Sequence, residues 1–432
     1  MKRKIRYLHL SDNFYPVVTG GTEIFIQQLI NVQLKLSNKY DVIWACHKSS
    51  DGDYRKIKEI ESYKKLLDPV ILANRLERFS FKAKSIEGFN ILLKDFKPDI
   101  VHIHSLGSRT TLNHIQAIKK FGSKIVFTIH TPPCSCMGNL LNASHKVCDG
   151  VLNDSRCTFF RLRSIGFPYL ISKLISFQNG WPLSPNHKNI ISRILTSRKL
   201  TTNMHFSWMK LMHDVDLIHV LSNWEKEMLI RQKVNSNKIK LIRTAGPKKL
   251  PHNKRCSKED DLLKLVFWGR CNPQKGIHIL IDAILKLPSN SRVRLDFYGP
   301  YWGDTKYSRE MICKITNDKR FKLCGNIPQI TLLKRLQNYD LAVVPSIWME
   351  TGPLSVLEAF AAGIPVAGSD LGGIKELLHD KYNCFLLPPK INHWSELFKS
   401  LMKDKTILKE FKSPLIRTFN DIENDLFHIL NI

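Results

Sequence analysis

A chain of 432 residues is long enough for two domains with buried cores, and 43% hydrophobic with 24% charged residues is ordinary for a globular protein. Its 66 basic against 38 acidic residues give a net charge of +28, which suits nucleic acid, an anionic membrane surface or phosphorylated substrates. No helix-turn-helix, zinc-finger or aromatic RNA-binding pattern accompanies that charge, so no nucleic-acid partner is expected, and no run of about eighteen apolar residues marks a membrane span.

The opening Met1 to Leu10 is basic and then apolar, but it stops at Ser11-Asp12-Asn13 without a small-residue cleavage site. A signal peptide is therefore rejected and a cytoplasmic chain expected. Ile5 to Leu10 reads as a first strand, and a helix follows from about Thr22 with Ile26, Leu29, Ile30 and Leu34 along one face. Further strands are expected at Tyr40–Ala45, Ile100–His104, Lys124–His130 and Asp216–Ser222, with Ser222 capping a helix from Asn223 to Arg231. Ile239 to Ile242 closes this half. A second alternating half runs through Leu265–Trp268, Arg294–Tyr298, Phe321–Cys324, Leu341–Val344, Pro365–Ala367 and Cys384–Leu387. Strands alternating with helices argue for parallel sheets, and the architecture implied is α/β: two Rossmann-like domains facing each other across a cleft. The expected divisions are an N-terminal domain over 1–245 with an insertion at about 131–200, a polar linker over 246–261, a C-terminal domain over 262–412, and a C-terminal helix within 413–432 that packs back on the first domain.

Four stretches carry chemistry. Gly20-Gly21 lies between the first strand and its helix, where backbone amides could approach a phosphate; a plain tight turn is the ordinary alternative. Gly269-Arg270-Cys271-Asn272-Pro273-Gln274-Lys275-Gly276 leaves the carboxyl end of a strand, where open α/β sheets bind ligands. There Arg270 and Lys275 would neutralise a diphosphate leaving group without a metal ion. Glu350-Thr351-Gly352-Pro353-Leu354 follows a buried strand, with Pro353 suited to the first helical position and Glu358 about two turns along. Carboxylates at such places suit sugar hydroxyls, since each can accept two hydrogen bonds. His130 ends a strand, and His102 and His104 lie on the one before it.

Two features remain open. Cys134, Cys136, Cys148 and Cys157 fall within one loop after His130. Clustered cysteines in a reducing compartment suggest metal before disulfide, yet C-x-C…C…C lacks paired C-x-x-C knuckles. Structural zinc, a disulfide and unligated thiols all stay open, and no catalytic metal is expected. Phe159 to Phe177 mixes basic and bulky apolar residues, which fits either the core of an insertion or contact with an anionic bilayer.

The order of these marks, from Gly20-Gly21 through Gly269-Arg270 and Lys275-Gly276 to Glu350…Glu358 and Asp370-Leu371-Gly372-Gly373, resembles that of retaining glycosyltransferases of the GT-B fold, family 4 (glycosyl transferases group 1). The resemblance implies transfer of a sugar from a nucleoside-diphosphate sugar, UDP or GDP, to a hydroxyl of a saccharide or lipid-linked saccharide in surface polysaccharide or glycolipid synthesis. By it, Glu358 holds the ribose hydroxyls, and Glu350 with the Thr351, Gly352, Pro353 and Leu354 backbone holds the sugar. Arg270, Lys275 and the Gly21 amide stabilise the departing diphosphate, and His130 touches the transferred sugar. No cofactor is required; the net charge and the Phe159–Phe177 stretch, rather than the resemblance, leave open a peripheral place on the inner face of the cell membrane. One departure is Glu350-Thr351-Gly352, where Glu-Gly or Glu-x-Phe-Gly is commoner. The alternatives are an epimerase or phosphorylase on the same fold, and a non-catalytic basic binding protein.

Overall fold

The structure, a computed structural model, describes residues 3–16, 20–47, 61–71, 82–107, 109–131, 147–178, 190–251, 261–300, 302–378 and 384–431. Residues 252–260 of the expected linker, and Cys134 and Cys136, lie outside the described residues. The chain divides into two compact units, Met1–Arg243 with Ile422–Ile432, and Thr244–Asp421.

The first unit carries β1 (Ile5–Ser11), α1 (Gly21–Lys35), β2 (Tyr40–His47), β3 (Lys64–Leu67), α2 (Glu87–Phe96), β4 (Ile100–Ile103), α3 (Leu112–Phe121) and β5 (Lys124–Thr128). It continues with α4 (Asp154–Ser164), α5 (Tyr169–Phe177), α6 (Ile190–Leu195), α7 (Ser197–Asp214), β6 (Leu217–Val220), α8 (Asn223–Arg231) and β7 (Ile239–Leu241). Its strands form one parallel sheet in the order β3-β2-β1-β4-β5-β6-β7. Sequence periodicity does not find β3, because Lys64-Lys65-Leu66-Leu67 has no apolar run. Lys64 is nevertheless buried, its ammonium donating to the Tyr15 carbonyl at 3.0 Å and pairing with Glu61. Ser222 does stand at the N-cap of α8, but its hydroxyl does not cap the backbone. Glu225 reaches back instead, accepting from the Leu221 amide at 2.9 Å and the Ser222 hydroxyl at 2.8 Å.

The second unit carries β8 (Leu263–Trp268), α9 (Ile277–Leu285), β9 (Val293–Tyr298), α10 (Lys306–Ile315), β10 (Phe321–Gly325), α11 (Gln329–Leu336), β11 (Leu341–Val344), α12 (Leu354–Ala362), β12 (Val366–Ser369), α13 (Gly372–Leu377), β13 (Phe385–Leu387) and α14 (Ile391–Lys403). A last helix, α15 (Phe419–Leu430), buries Ile422, Leu426 and Leu430 and holds the end of the chain. The second sheet is again parallel, ordered β10-β9-β8-β11-β12-β13. Apolar clusters cover both of its faces, one built on α9 and α14 and the other on α11 and α12. That explains why β8 and β11 read as continuous apolar runs rather than alternating ones. Pro353 precedes α12 as its N-cap, one position earlier than its sequence suggested.

In both sheets the order reverses beside the first strand of the unit, between β1 and β4 and between β8 and β11. At such a point the loops leaving adjacent strands diverge to opposite faces and open a crevice at the carboxyl ends. The loops after β1, β8 and β11 all start there.

Candidate active site

In the second unit, three loops at the carboxyl edge are tied together. The loop after β8 makes a short turn over Pro273–Lys275, capped by the Asn272 side chain, which accepts from the Lys275 amide at 3.1 Å. Gly276 ends it with φ of +70°, and a Cβ there would stand 2.0 Å from the Pro345 carbonyl oxygen. Only glycine lets the two loops touch. The Ile347 amide donates to the Gln274 carbonyl at 2.9 Å, and the Gly373 amide, in the first turn of α13 where the loop after β12 ends, donates to the Glu350 carbonyl at 2.7 Å. A Cβ on Gly373 would stand 2.7 Å from the Thr351 carbonyl oxygen, so close approach again requires a glycine.

This scaffold brings Lys275 and Glu350 into direct contact, with Lys275 Nζ 2.7 Å from Glu350 Oε1 and both side chains largely shielded. The Ser346 hydroxyl lies 3.0 Å from the same oxygen. Arg270 is exposed on the same loop as Lys275. Thr351 and Leu357 are buried, which leaves Gly352 and Leu354 as partly open backbone at the turn into α12.

Glu358 is placed differently. It is 8% exposed, and its two oxygens are separately held: the Trp268 indole donates to Oε2 at 2.6 Å and the Gln329 amide to Oε1 at 2.6 Å. Burial raises its pKa, and the Gln329 and Trp268 hydrogen bonds pull the other way. Each oxygen keeps a second lone pair, so the carboxyl can still accept from a diol. Trp268, Gln329 and Ser346 were not singled out by sequence. Trp268 closes a strand next to Gly269, a place where an indole could be suspected; Gln329 carries no local signal.

In the first unit, Gly20 is the N-cap of α1 and Gly21 its first residue. The Glu23 carboxyl folds back over them, taking hydrogen bonds from its own and the Gly20 amide and from Asn13, and burial raises its pKa. This is the reach-back half of a capping box. The loop before it is pinned by Arg109, whose guanidinium donates to Asn13 Oδ1 at 2.7 Å.

His130 belongs to a layer of imidazoles on one face of the first sheet. β4 and β5 end at Ile103 and Thr128, earlier than the sequence suggested, but the His104 and Ile129 amides carry the ladder on to the Leu10 and His219 carbonyls at 3.0 Å each. Side chains two apart on such extended backbone share a face, which aligns Tyr7 with His9, His102 with His104 and Thr128 with His130. Strand register then sets His9 opposite His102 and Thr128 opposite His219. His9 Nδ1 lies 3.0 Å from His104 Nε2, and His104 Nδ1 lies 3.0 Å from His130 Nε2. His102 bridges Tyr7 Oη at 2.9 Å and Thr128 Oγ1 at 2.6 Å, and His219 Nδ1 lies 2.8 Å from Thr128 Oγ1. Desolvation lowers the pKa of His130 to about 3, with the His219 charge second, and that of His9 to about 4. His9, His102 and His104 stand close enough to share a metal ion, but every ring nitrogen of the three already meets a protein partner. The layer is a hydrogen-bonded network of neutral imidazoles. Of the clustered cysteines, Cys148 is half-buried, its Sγ accepting from the Gly150 amide at 3.4 Å, and Cys157 is buried.

Comparison with known proteins bears on both units. Residues 251–414 match the family described as Glycosyl transferases group 1, and residues 19–169 match Glycosyltransferase Family 4. A glycosyltransferase of Methanocaldococcus jannaschii is 32% identical over 133 residues, 31% of this chain and 33% of that protein. A UDP-Gal:alpha-D-GlcNAc-diphosphoundecaprenol alpha-1,3-galactosyltransferase of Escherichia coli is 26% identical over 169 residues, 36% of this chain and 41% of the relative. The chain thus matches a third to two fifths of the length of these curated relatives. The crystal structure of Anabaena HepE in complex with UDP superposes with a TM-score of 0.58 at 16% identity, covering 99% of this chain and 97% of that one. The two-sheet architecture is therefore that of the GT-B fold.

Proposed function

The chain belongs to the GT-B glycosyltransferases of the group 1 and family 4 type, and on that premise we propose that it moves a sugar from a nucleoside-diphosphate sugar to a hydroxyl of a saccharide or lipid-linked saccharide, with retention at the anomeric carbon. The observation that carries this reading is the Lys275–Glu350 pair, held at the carboxyl edge of the second sheet by three interlocked loops.

Each group has a task that its surroundings suit. Lys275 and the exposed Arg270 neutralise the diphosphate as it departs, without a metal ion and without a cofactor. Glu350 turns Lys275 toward the site and, with the Thr351–Leu354 backbone, accepts hydroxyls of the sugar. Glu358, with both oxygens oriented by Trp268 and Gln329, accepts the ribose hydroxyls. The resemblance gives His130 the transferred sugar and the Gly20–Gly21 turn the diphosphate, and at that turn the Glu23 carboxyl, which now holds the Gly20 amide, would first have to swing away. The departing phosphate takes the acceptor proton, so no separate general base is needed. Positioning and fixed charge do most of the work in such a site. The names of the Escherichia coli galactosyltransferase and of the HepE complex support a UDP-linked donor and a lipid-linked acceptor.

The surface of α5 supports the lipid side of this reading. Its amphipathicity is inverted: Ser172 and Ser176 are buried while Leu170, Leu174 and Phe177 are 72%, 65% and 68% exposed. The exposed Lys173 stands among them, and Ile165 and Phe206 add further exposed apolar area. An apolar helix face with a basic fringe fits an anionic bilayer interface, where peripheral attachment would bring the enzyme to a lipid-linked acceptor. Among the described residues no helix is long and apolar enough to cross a membrane.

The test is a thermal-shift measurement in EDTA with UDP, GDP and ADP, followed by a transfer assay. Stabilisation by one nucleotide, lost in Lys275→Ala, is expected. No stabilisation at millimolar nucleotide overturns the reading, and release of nucleoside diphosphate without any acceptor would favour an epimerase.

A further inference from the structure

The imidazole layer does more than fill one face of the first sheet. One branch of it runs without a break from α15 to His130. Gln33 Nε2 donates to Glu423 Oε2 at 3.0 Å, and His9 Nε2 lies 2.8 Å from Gln33 Oε1. His104 Nε2 then lies 3.0 Å from His9 Nδ1, and His130 Nε2 lies 3.0 Å from His104 Nδ1. Glu423, Gln33, His9 and His104 are all buried, between 0% and 2% exposed.

A neutral imidazole has one donor and one acceptor nitrogen, so a chain of them must run in a single direction. The direction is set at its closed end. A carboxylate only accepts, so Glu423 draws the Gln33 amide nitrogen to itself and turns the Gln33 carbonyl toward His9. His9 must then donate from Nε2 and accept at Nδ1. His104 must donate from Nε2 to His9 and accept at Nδ1, and His130 must donate from Nε2 to His104. We propose that Glu423 is a positioning residue that dictates the tautomer of His130 through Gln33, His9 and His104, so that His130 carries its proton on Nε2 and presents Nδ1 as a hydrogen-bond acceptor.

Neutrality of the relay follows from its surroundings, since desolvation lowers the pKa of His9, His104 and His130. The parallel branch obeys the same polarity. His219 Nε2 donates to the Ile242 carbonyl at 2.8 Å, which leaves His219 Nδ1, and in turn His102 Nδ1, as acceptors from the Thr128 and Tyr7 hydroxyls. The consequence for chemistry rests on the reading above: an acceptor at Nδ1 selects a sugar hydroxyl as its partner rather than a phosphate or carbonyl oxygen.

The test is ¹⁵N NMR of histidine-labelled protein, with His130 assigned from its missing signals in His130→Gln. This readout needs neither donor nor acceptor, so it stands apart from the transferase assignment. The wild type is expected to show a protonated Nε2 and an unprotonated Nδ1 at His130; a proton on Nδ1 overturns the proposal even if no variant folds. Glu423→Gln lets the Gln33 amide turn either way, so His130 should become a mixture of tautomers and kcat should fall about tenfold, the scale of one misdirected hydrogen bond. The exchange Gln33→Glu with Glu423→Gln restores an acceptor to His9 and should restore both the tautomer and kcat. An unchanged His130 tautomer in Glu423→Gln, or no recovery in the exchanged protein, sinks the relay.

Discussion

Lys275 and Glu350 lie 75 positions apart in sequence, yet the ammonium of one sits 2.7 Å from a carboxyl oxygen of the other. Their contact depends on Gly276, whose hydrogen side chain lets the loop after β8 touch the Pro345 carbonyl. Charge, turn and glycine therefore form one unit.

Removing Lys275 should remove a preorganised cation from the departing diphosphate. Lys275→Ala is expected to lower kcat/KM by about 10²–10³, on the scale of one lost transition-state donor. Glu350→Gln should cost a comparable factor, and the double variant less than the product of the two, because both single changes break the same contact. Additive effects in a double-mutant cycle would mean that the two side chains act separately.

Gly276→Ala should destabilise the second unit by about 3 kcal/mol or more, since it combines a left-handed backbone with overlap on a carbonyl oxygen. Chemical denaturation measures this directly. A loss below about 1 kcal/mol would mean that the loops separate at little cost.

Trp268→Phe keeps the ring but removes the indole donor from the buried Glu358 carboxyl. Stability should fall by about 1–2 kcal/mol, and nucleotide affinity, read by calorimetry, by about tenfold as the carboxyl loses its orientation. Nucleotide affinity equal to that of the wild type would remove Glu358 from the ribose.

Acid should destabilise the first unit well above the ordinary carboxylate range. For His9 the folded-state pKa, about 4, lies below the usual 6.5, so the unfolded chain takes up the proton first. The stability it contributes is complete above about pH 6.5 and is lost as pH falls toward 4, on the order of 3 kcal/mol. His102 and His104, lowered in the same direction by burial, add to the slope. Glu423, raised by burial, acts in the opposite sense and softens it. Denaturant midpoints between pH 7 and 5 measure the sum, and a flat profile would mean that these imidazoles are not held neutral.

Leu170→Ser with Leu174→Ser should abolish sedimentation with vesicles rich in anionic lipid at low salt while leaving the melting temperature within a few degrees of the wild type. Failure of the wild type itself to sediment would dismiss the bilayer reading of α5.

Much of this protein can be read from its sequence because its signals are local. Apolar runs ended by Gly269 and by Pro345 mark β8 and β11, and the stretches that follow them, Gly269 to Gly276 and Glu350 to Leu354, are by position the edge of a parallel sheet. Even the pairing partners in the imidazole layer leave a trace, since Tyr7-x-His9, His102-x-His104 and Thr128-x-His130 repeat with the period of a strand. What no local pattern carries is which strands neighbour one another and at what register. That choice sets His9 beside His102, puts Gln33 between His9 and a glutamate 390 positions away, and brings Trp268 and Gln329 onto the two oxygens of Glu358. Residue types and their spacing thus determined the elements and the candidate donors. Only the packed structure decided their partners, because a buried polar group must find its hydrogen bond wherever the completed fold places one.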